Sequence, residues 1–332
     1  MTRLDSDDAV TREAPAECDG PRALVFEARE VPLGGVRAME VRRALPQREL
    51  PLVGAWCFLD RFGPQVTTMR VEPHPHIGLQ TVTWPLVGEV RHRDSIASDV
   101  VVRRGALNLM TSGAGISHSE YSVPDSAAGN TDTPLDALQL WIALPESRRH
   151  GAPAFEQHDD LPMIALEALE GAPGEATVVL GTLAGISSPA TVYTPIVGAE
   201  IRLPAGAVVR VPLDPDWEHA IAGVTGSVVI DPGSSSEAEA NPQRMVYLGI
   251  RRTEVLLRSD TDATVFLLGG EPFEDDIVMW WNFVARSHDE IVAAREAWEA
   301  ASDRFGVVNG HDVRIPAPPM PGVRLTRRRR RI

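Results

Sequence analysis

Two histidines one residue apart, His74 and His76, stand in "VEPHPHIGLQTVTW" at the start of an apolar, β-branched run. About forty residues later "SGAGISHSEYS" places His118 and Glu120 at the same i, i+2 spacing. Successive side chains of a strand alternate faces, so each pair shares a face. Pro75 then points to the other face, and proline is tolerated at the first residues of a strand or on an edge. Alone, His-x-His reads better as two structural or surface residues beside a turn. Two such pairs offer three imidazoles and a carboxylate, which converging strands inside a small barrel can bring to one ion. That donor set leaves one or two positions open on an octahedral metal. It suits Fe(II), Mn(II), Ni(II) or Cu(II) better than a closed structural zinc site, although zinc is within its range.

Other chemistries are excluded by what is missing. All 32 basic residues are arginine, so a Schiff-base lysine and a phosphate-loop lysine are both absent. "GISHS" around Ser117 is not the G-x-S-x-G of a hydrolase elbow. Gly113 and Gly115 lack phosphate-loop spacing and are expected to form a tight turn before His118. The net charge of −14 argues against direct nucleic-acid binding, which needs an excess of cations.

The elements that must position these residues read as strands. At 332 residues the chain has room for two domains. From Ala23 onward, short apolar runs such as "QTVTWPL", "ALQLWIAL", "ATVVLGTL" and "ATVFLLGG" recur between Gly, Pro and Asp. This pattern predicts an all-β sandwich or barrel architecture. The helical patterns that a Rossmann fold needs between strands are missing. A polar, weakly periodic stretch from Pro145 to Pro162 divides the strands into two series, resembling an internal duplication of β-barrel type. The expected organisation is a disordered tail at 1–22, a first domain at 23–150, a linker at 151–162, a second domain at 163–306 and a Pro-rich, polybasic disordered tail at 307–332.

One helix is expected in "SHDEIVAAREAWEAASDRFG". Ser287 and Glu290 have capping-box spacing, Ile291, Ala294 and Trp298 follow a helical period, and Gly306 is the expected stop. The acidic start "MTRLDSDDAV" is not a signal peptide, and no apolar run reaches membrane-span length. With two cysteines, Cys18 and Cys57, unable to form a disulfide framework, a reducing cytoplasm is the expected compartment, with no membrane contact.

"HPHIGLQTVTW", "GEVRHRDS", "RRGALNLMTSGAGISHSE" and "LQLWIALP", with "VFLLGGEPFEDDIVMWWNFV" near the end, resemble the pirins, a family of bicupin proteins. The resemblance covers roughly residues 25 to 305. It implies two tandem cupin (double-stranded β-helix, jelly-roll) barrels with a C-terminal α-helix and one metal in the first barrel. It places that metal on His74, His76, His118 and Glu120, with iron as the usual ion. It also implies quercetin 2,3-dioxygenase activity in several members, and metal-dependent binding of partner proteins in others. Pirins often have an arginine and a glutamate where this chain has Ile77 and Gln80. A neutral Gln80 cannot act as a base, which leaves Glu120 or a metal-bound hydroxide for that role.

On this reading Glu120 takes a hydroxyl proton from an aromatic enediol such as a flavonol, in an apolar pocket. Phe58, Trp84 and Met110 are candidate walls or ordinary core residues. His92, in the polar "RHRDS", is expected to be exposed, or else at the pocket mouth. The competing reading, from a different class, is an iron- or redox-sensing regulator that binds a protein partner. A metal-dependent isomerase is a third, supported only by fold analogy.

Overall fold

The computed structural model describes residues 20–33, 39–124, 132–327 and 332. Cys18, nearly all of the expected N-terminal tail and the arginines Arg328 to Arg331 lie outside them.

Two antiparallel sheets build the first half. One runs in the order Ala154–His158, Leu107–Thr111, Leu79–Val87, Thr133–Ala143, Trp56–Thr67, Met39–Leu45, Arg29–Leu33. The other runs Arg70–His76, Ile116–Ser122, Glu89–Asp94, Asp99–Arg103. Their inner faces meet on Val41, Phe62, Leu135 and Ala137 from one sheet and Val90 and Val102 from the other. The second half repeats the plan around the central strands Gly174–Leu183, Ile196–Leu203, Ala263–Gly270 and Glu218–Thr225, all antiparallel. The fold is therefore the expected all-β pair of tandem barrels with a C-terminal helix. Among the described residues no helix is long and apolar enough to cross a membrane.

The strand Leu79–Val87 shows how the halves are joined. Its sequence, LQTVTWPLV, does not alternate apolar and polar residues, because it is buried on both faces. Val82, Trp84 and Leu86 face the second half, where they share one core with Val179, Leu180, Tyr247 and Phe266. Thr81 and Thr83 face the interior of the first barrel, as period-2 alternation requires. Trp56 reaches across as well, donating from Nε1 to the Val197 carbonyl at 3.0 Å. The bidentate pair of Arg61 with Asp136, buried at this junction, also bonds the Val224 carbonyl.

Four expectations about organisation change. The strand Pro21–Glu27, expected to open the first domain, pairs with Arg244–Gly249 in the sheet of the second half. Within the stretch expected as a linker, Ala154–His158 pairs with Leu107–Thr111 and completes the first half's larger sheet. Its modest apolar content suits a sheet edge, where only one side needs a partner. The helix spans His288–Glu299 behind an N-cap at Ser287, but ends at Ala300 and Ala301 rather than at Gly306. Ala301 adopts the left-handed conformation (φ 50°) usually given to glycine. The Glu290 carboxylate accepts from the Arg286 N–H at 3.1 Å, one residue before the expected capping-box partner.

The fourth concerns the C-terminal tail, whose described residues pack on the first half. Helix residues Ile291, Ala294 and Trp298 form one core with Ile77, Phe283, Phe305 and Ala317. Trp298 Nε1 donates to the Ile315 carbonyl at 2.9 Å, and the Ile315 N–H donates to Pro73 O at 2.8 Å. Proline at four positions from 316 to 321 removes helix and sheet propensity. Side-chain and backbone docking orders the segment instead.

Candidate metal centre

Arg70–His76 and Ile116–Ser122 are neighbouring antiparallel strands, with His74 opposite His118 and His76 opposite Ile116. The three imidazoles converge: ring centroids are 4.3 Å apart for His74 and His118, 5.0 Å for His76 and His118, and 5.1 Å for His74 and His76. The turn before His118 uses Gly113 at φ +50°, where a Cβ would lie 2.2 Å from the Gly151 carbonyl oxygen. Gly115 similarly leaves room for the Arg304 backbone. These glycines thus make a turn, as expected, and admit two other chain segments against it.

Each ring is oriented by its Nδ1. His74 Nδ1 lies 3.0 Å from the Glu72 carbonyl and His76 Nδ1 3.1 Å from the Asn282 carbonyl. A carbonyl only accepts, so both Nδ1 atoms carry the proton and both Nε2 atoms keep a lone pair. His76 Nε2 and His118 Nε2 then face each other at 3.1 Å. Two inward nitrogens this close need a proton or a cation between them. Burial holds the three imidazoles neutral: it pushes His74 down to about 4 and carries His76 and His118 well below the ordinary histidine value. Neutral, convergent imidazoles are suitable ligands for a divalent transition metal.

Glu120 completes the expected set with a difference. The ladder to Arg70–His76 slips between His118 and Glu120, whereas the ladder to Glu89–Asp94 continues and sets Glu120 opposite His92. Two overlapping donor groups result, His74/His76/His118 and His92/His118/Glu120, each with ligand atoms within 4.8 Å of one another. Burial raises the Glu120 carboxyl above its usual range, partly opposed by the field of His92 and by the Thr83 hydroxyl 3.0 Å from Oε1.

His92 corrects an expectation. It is buried rather than exposed, and stacks on Phe155 with centroids 4.5 Å apart. Its Nδ1 lies 3.3 Å from His118 Nδ1 and its Nε2 3.1 Å from Asp94 Oδ2. Asp94, with Thr83, was not singled out from sequence. The signal was present in "RHRDS", where His92 and Asp94 repeat the i, i+2 spacing of the other two pairs.

Gln80 also stands apart from the centre. It lies on the face of its strand turned to the second half, where its amide donates to Thr111 Oγ1 and to the Thr191 carbonyl. Its neutrality therefore has no direct bearing on the centre. Trp84 points to that same face, and Met110 is buried without lining the cavity.

The cavity in front of the imidazoles has a volume of about 820 Å³, and His74, His76, His118 and Glu120 all line it. Phe58, the one expected wall residue that does line it, stacks on Trp141 at 4.0 Å between centroids, with Arg43 over its other face. Trp280, Trp281 and Met279 come from beyond the second half's strands, and Ile315, Pro316 and Pro318 from the C-terminal segment. The exposed Arg29, Pro316 and Pro318 mark the mouth. Apart from Phe58, these wall residues gave no local pattern in the sequence, because they meet only through the long-range docking of the chain end.

Residues 38–142 match the pirin family, and residues 198–306 match the pirin C-terminal cupin domain. A Pseudomonas aeruginosa protein bearing a provisional quercetin 2,3-dioxygenase name is 40% identical over 299 residues, 89% of each chain. The chain belongs to the pirin family. This pirin also resembles a crystal structure titled quercetin 2,3-dioxygenase from Acinetobacter baumannii, with a TM-score of 0.81 and 37% identity, over 92% of this chain and 98% of the other. A bacterial pirin from Escherichia coli, solved in complex with nickel(II), shares the fold at 17% identity and a TM-score of 0.56, over 75% of this chain and 100% of the other. The first family match contains all four expected ligands and His92.

Proposed function

We propose that this pirin binds one divalent transition metal, Fe(II) by preference, on His74, His76 and His118 with Glu120. We further propose that it is a dioxygenase acting on a flavonol such as quercetin or a similar aromatic enediol. The observation that carries this reading is the convergence of the imidazole Nε2 atoms on an aromatic-walled cavity that reaches the surface. A regulator whose metal is sealed from solvent has no need of such a cavity, so the enzyme is the preferred reading. The quercetin 2,3-dioxygenase names of the relatives support the choice of substrate class.

When bound, the metal supplies the one-electron chemistry that spin-paired organic substrates lack toward dioxygen. The protein's own residues do the rest. Phe58 and Trp141 supply an aromatic wall that a flat substrate packs against. Glu120, held at Oε1 by Thr83, accepts the substrate hydroxyl proton at Oε2. Burial makes the carboxylate a stronger base than it is in water, suiting it to that transfer. The C-terminal segment and Trp280 restrict water at the mouth.

The test follows the flavonol absorbance band together with oxygen uptake after anaerobic reconstitution with Fe(II). Coupled, metal-dependent loss of both is expected. Metal-loaded protein that consumes none of several flavonols would overturn the dioxygenase reading and favour a partner-binding role.

A further inference from the structure

We propose that the second barrel has a binding site of its own, for a small organic ammonium ion with an apolar substituent, held by His219 and Asp214. The site is separate from the candidate metal centre and does not depend on it.

Strand ends set the place. Gly181 lies opposite Val197, Ile196 opposite Gly270, and Gly270 opposite Glu218. The end of Gly174–Leu183 and the starts of Ile196–Leu203 and Glu218–Thr225 therefore meet at one end of the second barrel. A cavity of about 440 Å³ opens there, within the roughly 300–1,000 Å³ of small-molecule sites. It shares no lining residue with the cavity of the metal centre. Leu183, Val192, Ile196 and Leu213 make its walls apolar, and the half-buried Trp217 adds an indole.

His219 is the anomaly in this wall. It is 1% exposed, yet its Nδ1 is buried without a hydrogen-bond partner among the described residues. The Trp217 carbonyl pulls on the ring without completing a hydrogen bond to it. Gly269 admits the ring, since a Cβ there would lie 2.6 Å from His219 Cδ2. Buried polar groups are nearly always paired, so an imidazole left over on a cavity wall points to a ligand that supplies the partner. That ligand is not a metal ion, because among the described residues His219 belongs to no group of three metal-ligating side chains. Burial keeps the ring neutral, and a neutral imidazole offers a lone pair on one of its nitrogens.

Charge selects the ligand. Asp214, exposed at the rim, carries the one charged side chain that lines the cavity, and its field reaches His219. Arg252, whose field also reaches His219, lies outside the lining and is held by Asp231 and by the carbonyls of Leu248 and Arg22. An anion would therefore meet a carboxylate with no cation to offset it. An ammonium group has several N–H donors, so one group serves both the carboxylate and the imidazole lone pair. The Trp217 indole favours the same charge, and the apolar substituent packs against Leu183 and Ile196.

Calorimetric titration with phenethylammonium, phenethyl alcohol and phenylpropanoate compares three charges on similar bodies. The ammonium should bind one per chain, about tenfold tighter than the alcohol, with the carboxylate weakest. Affinity should be the same in chelator-treated and Fe(II)-reconstituted protein. Asp214→Asn, a surface change, should weaken binding a few-fold, and His219→Leu about 10- to 100-fold. The ring ¹⁵N resonances of wild-type His219 should shift on saturation, which locates the ligand even if His219→Leu fails to fold. Alcohol or carboxylate bound as tightly as the ammonium would overturn the proposal, as would unmoved His219 resonances or unchanged affinity in folded His219→Leu. Binding confined to the Fe(II)-reconstituted protein would overturn it too, and would place the amine on the metal. No saturable binding of the ammonium at millimolar concentration would leave the second barrel without this site.

Discussion

Trp84 Nε1 donates to Glu200 Oε2 at 2.7 Å, joining a strand of the first barrel to a strand of the second. Glu200 is also held by Arg202 at 2.7 Å and Arg104 at 3.2 Å, so this buried carboxylate is a node between the halves. Removing the indole donor with Trp84→Phe should cost about 2 kcal/mol, the usual range for a hydrogen bond to a charged group. Denaturant unfolding would measure the loss. Metal content should be unchanged, because Trp84 faces away from the centre. A variant with full stability but less metal would return Trp84 to the pocket wall.

The proposed ligand histidines predict a sharper outcome. His118→Ala and His76→Ala should each emerge from anaerobic Fe(II) reconstitution essentially empty, whereas wild type should hold about one ion per chain by elemental analysis. Glu120→Gln should keep much of the metal, since three imidazoles remain. Its turnover should fall about 100-fold or more, the usual contribution of a positioned base. Equal losses of metal and turnover in Glu120→Gln would mean that the carboxylate serves chiefly as a ligand.

The halves of the centre were not equally legible. The i, i+2 pairs predicted which residues share a face, because strand alternation is a local rule, and the structure brings His74, His76, His118 and Glu120 to one cavity. The same rule applied to His92 and Asp94 would have found the third pair, but the surrounding arginines made "RHRDS" look like a surface turn. Gln80 misled for the opposite reason. A strand buried on both faces has no polar side to mark the interior, so its register against the second half cannot be read from its own residues. The wall made by Trp280, Ile315 and Pro318 depends on where the chain end docks, and no local pattern encodes that.

His219 makes stability depend on pH independently of the metal. It lies in the second half, where burial lowers its pKa from 6.5 to about 4. Below pH ~6.5 the unfolded chain takes up a proton that the folded protein refuses, so the stabilisation is complete above that pH and fades as pH falls toward ~4. The full difference is about 3 kcal/mol. Denaturation midpoints at pH 7, 5.5 and 4 should fall progressively in wild type, and less steeply in His219→Leu. Parallel curves for the two proteins would assign the acid sensitivity to other groups.

The last prediction concerns the segment after the helix, which the sequence marked as disordered. His311 sits with Nδ1 3.1 Å from Glu72 Oε2 and Nε2 3.0 Å from Ser119 Oγ, while Tyr121 donates to the same Glu72 oxygen at 2.6 Å. Two residues beyond Glu72 is His74, whose Nδ1 rests on the Glu72 carbonyl, so the segment braces the strand that carries this proposed ligand. Ile315 then closes one side of the cavity. Ile315→Ala removes three carbons of apolar wall, worth roughly 1–2 kcal/mol of substrate contact if a flat ring lies against them. KM for the aromatic substrate should therefore rise about tenfold with kcat little changed, because contact with the wall is equal in ground and transition states. Ending the chain after Asn309 should have a larger effect on KM and also open Trp280 and Trp281 to acrylamide quenching. If both variants kept the wild-type KM and quenching, the substrate would have to bind away from this wall, closer to Phe58 and Arg43.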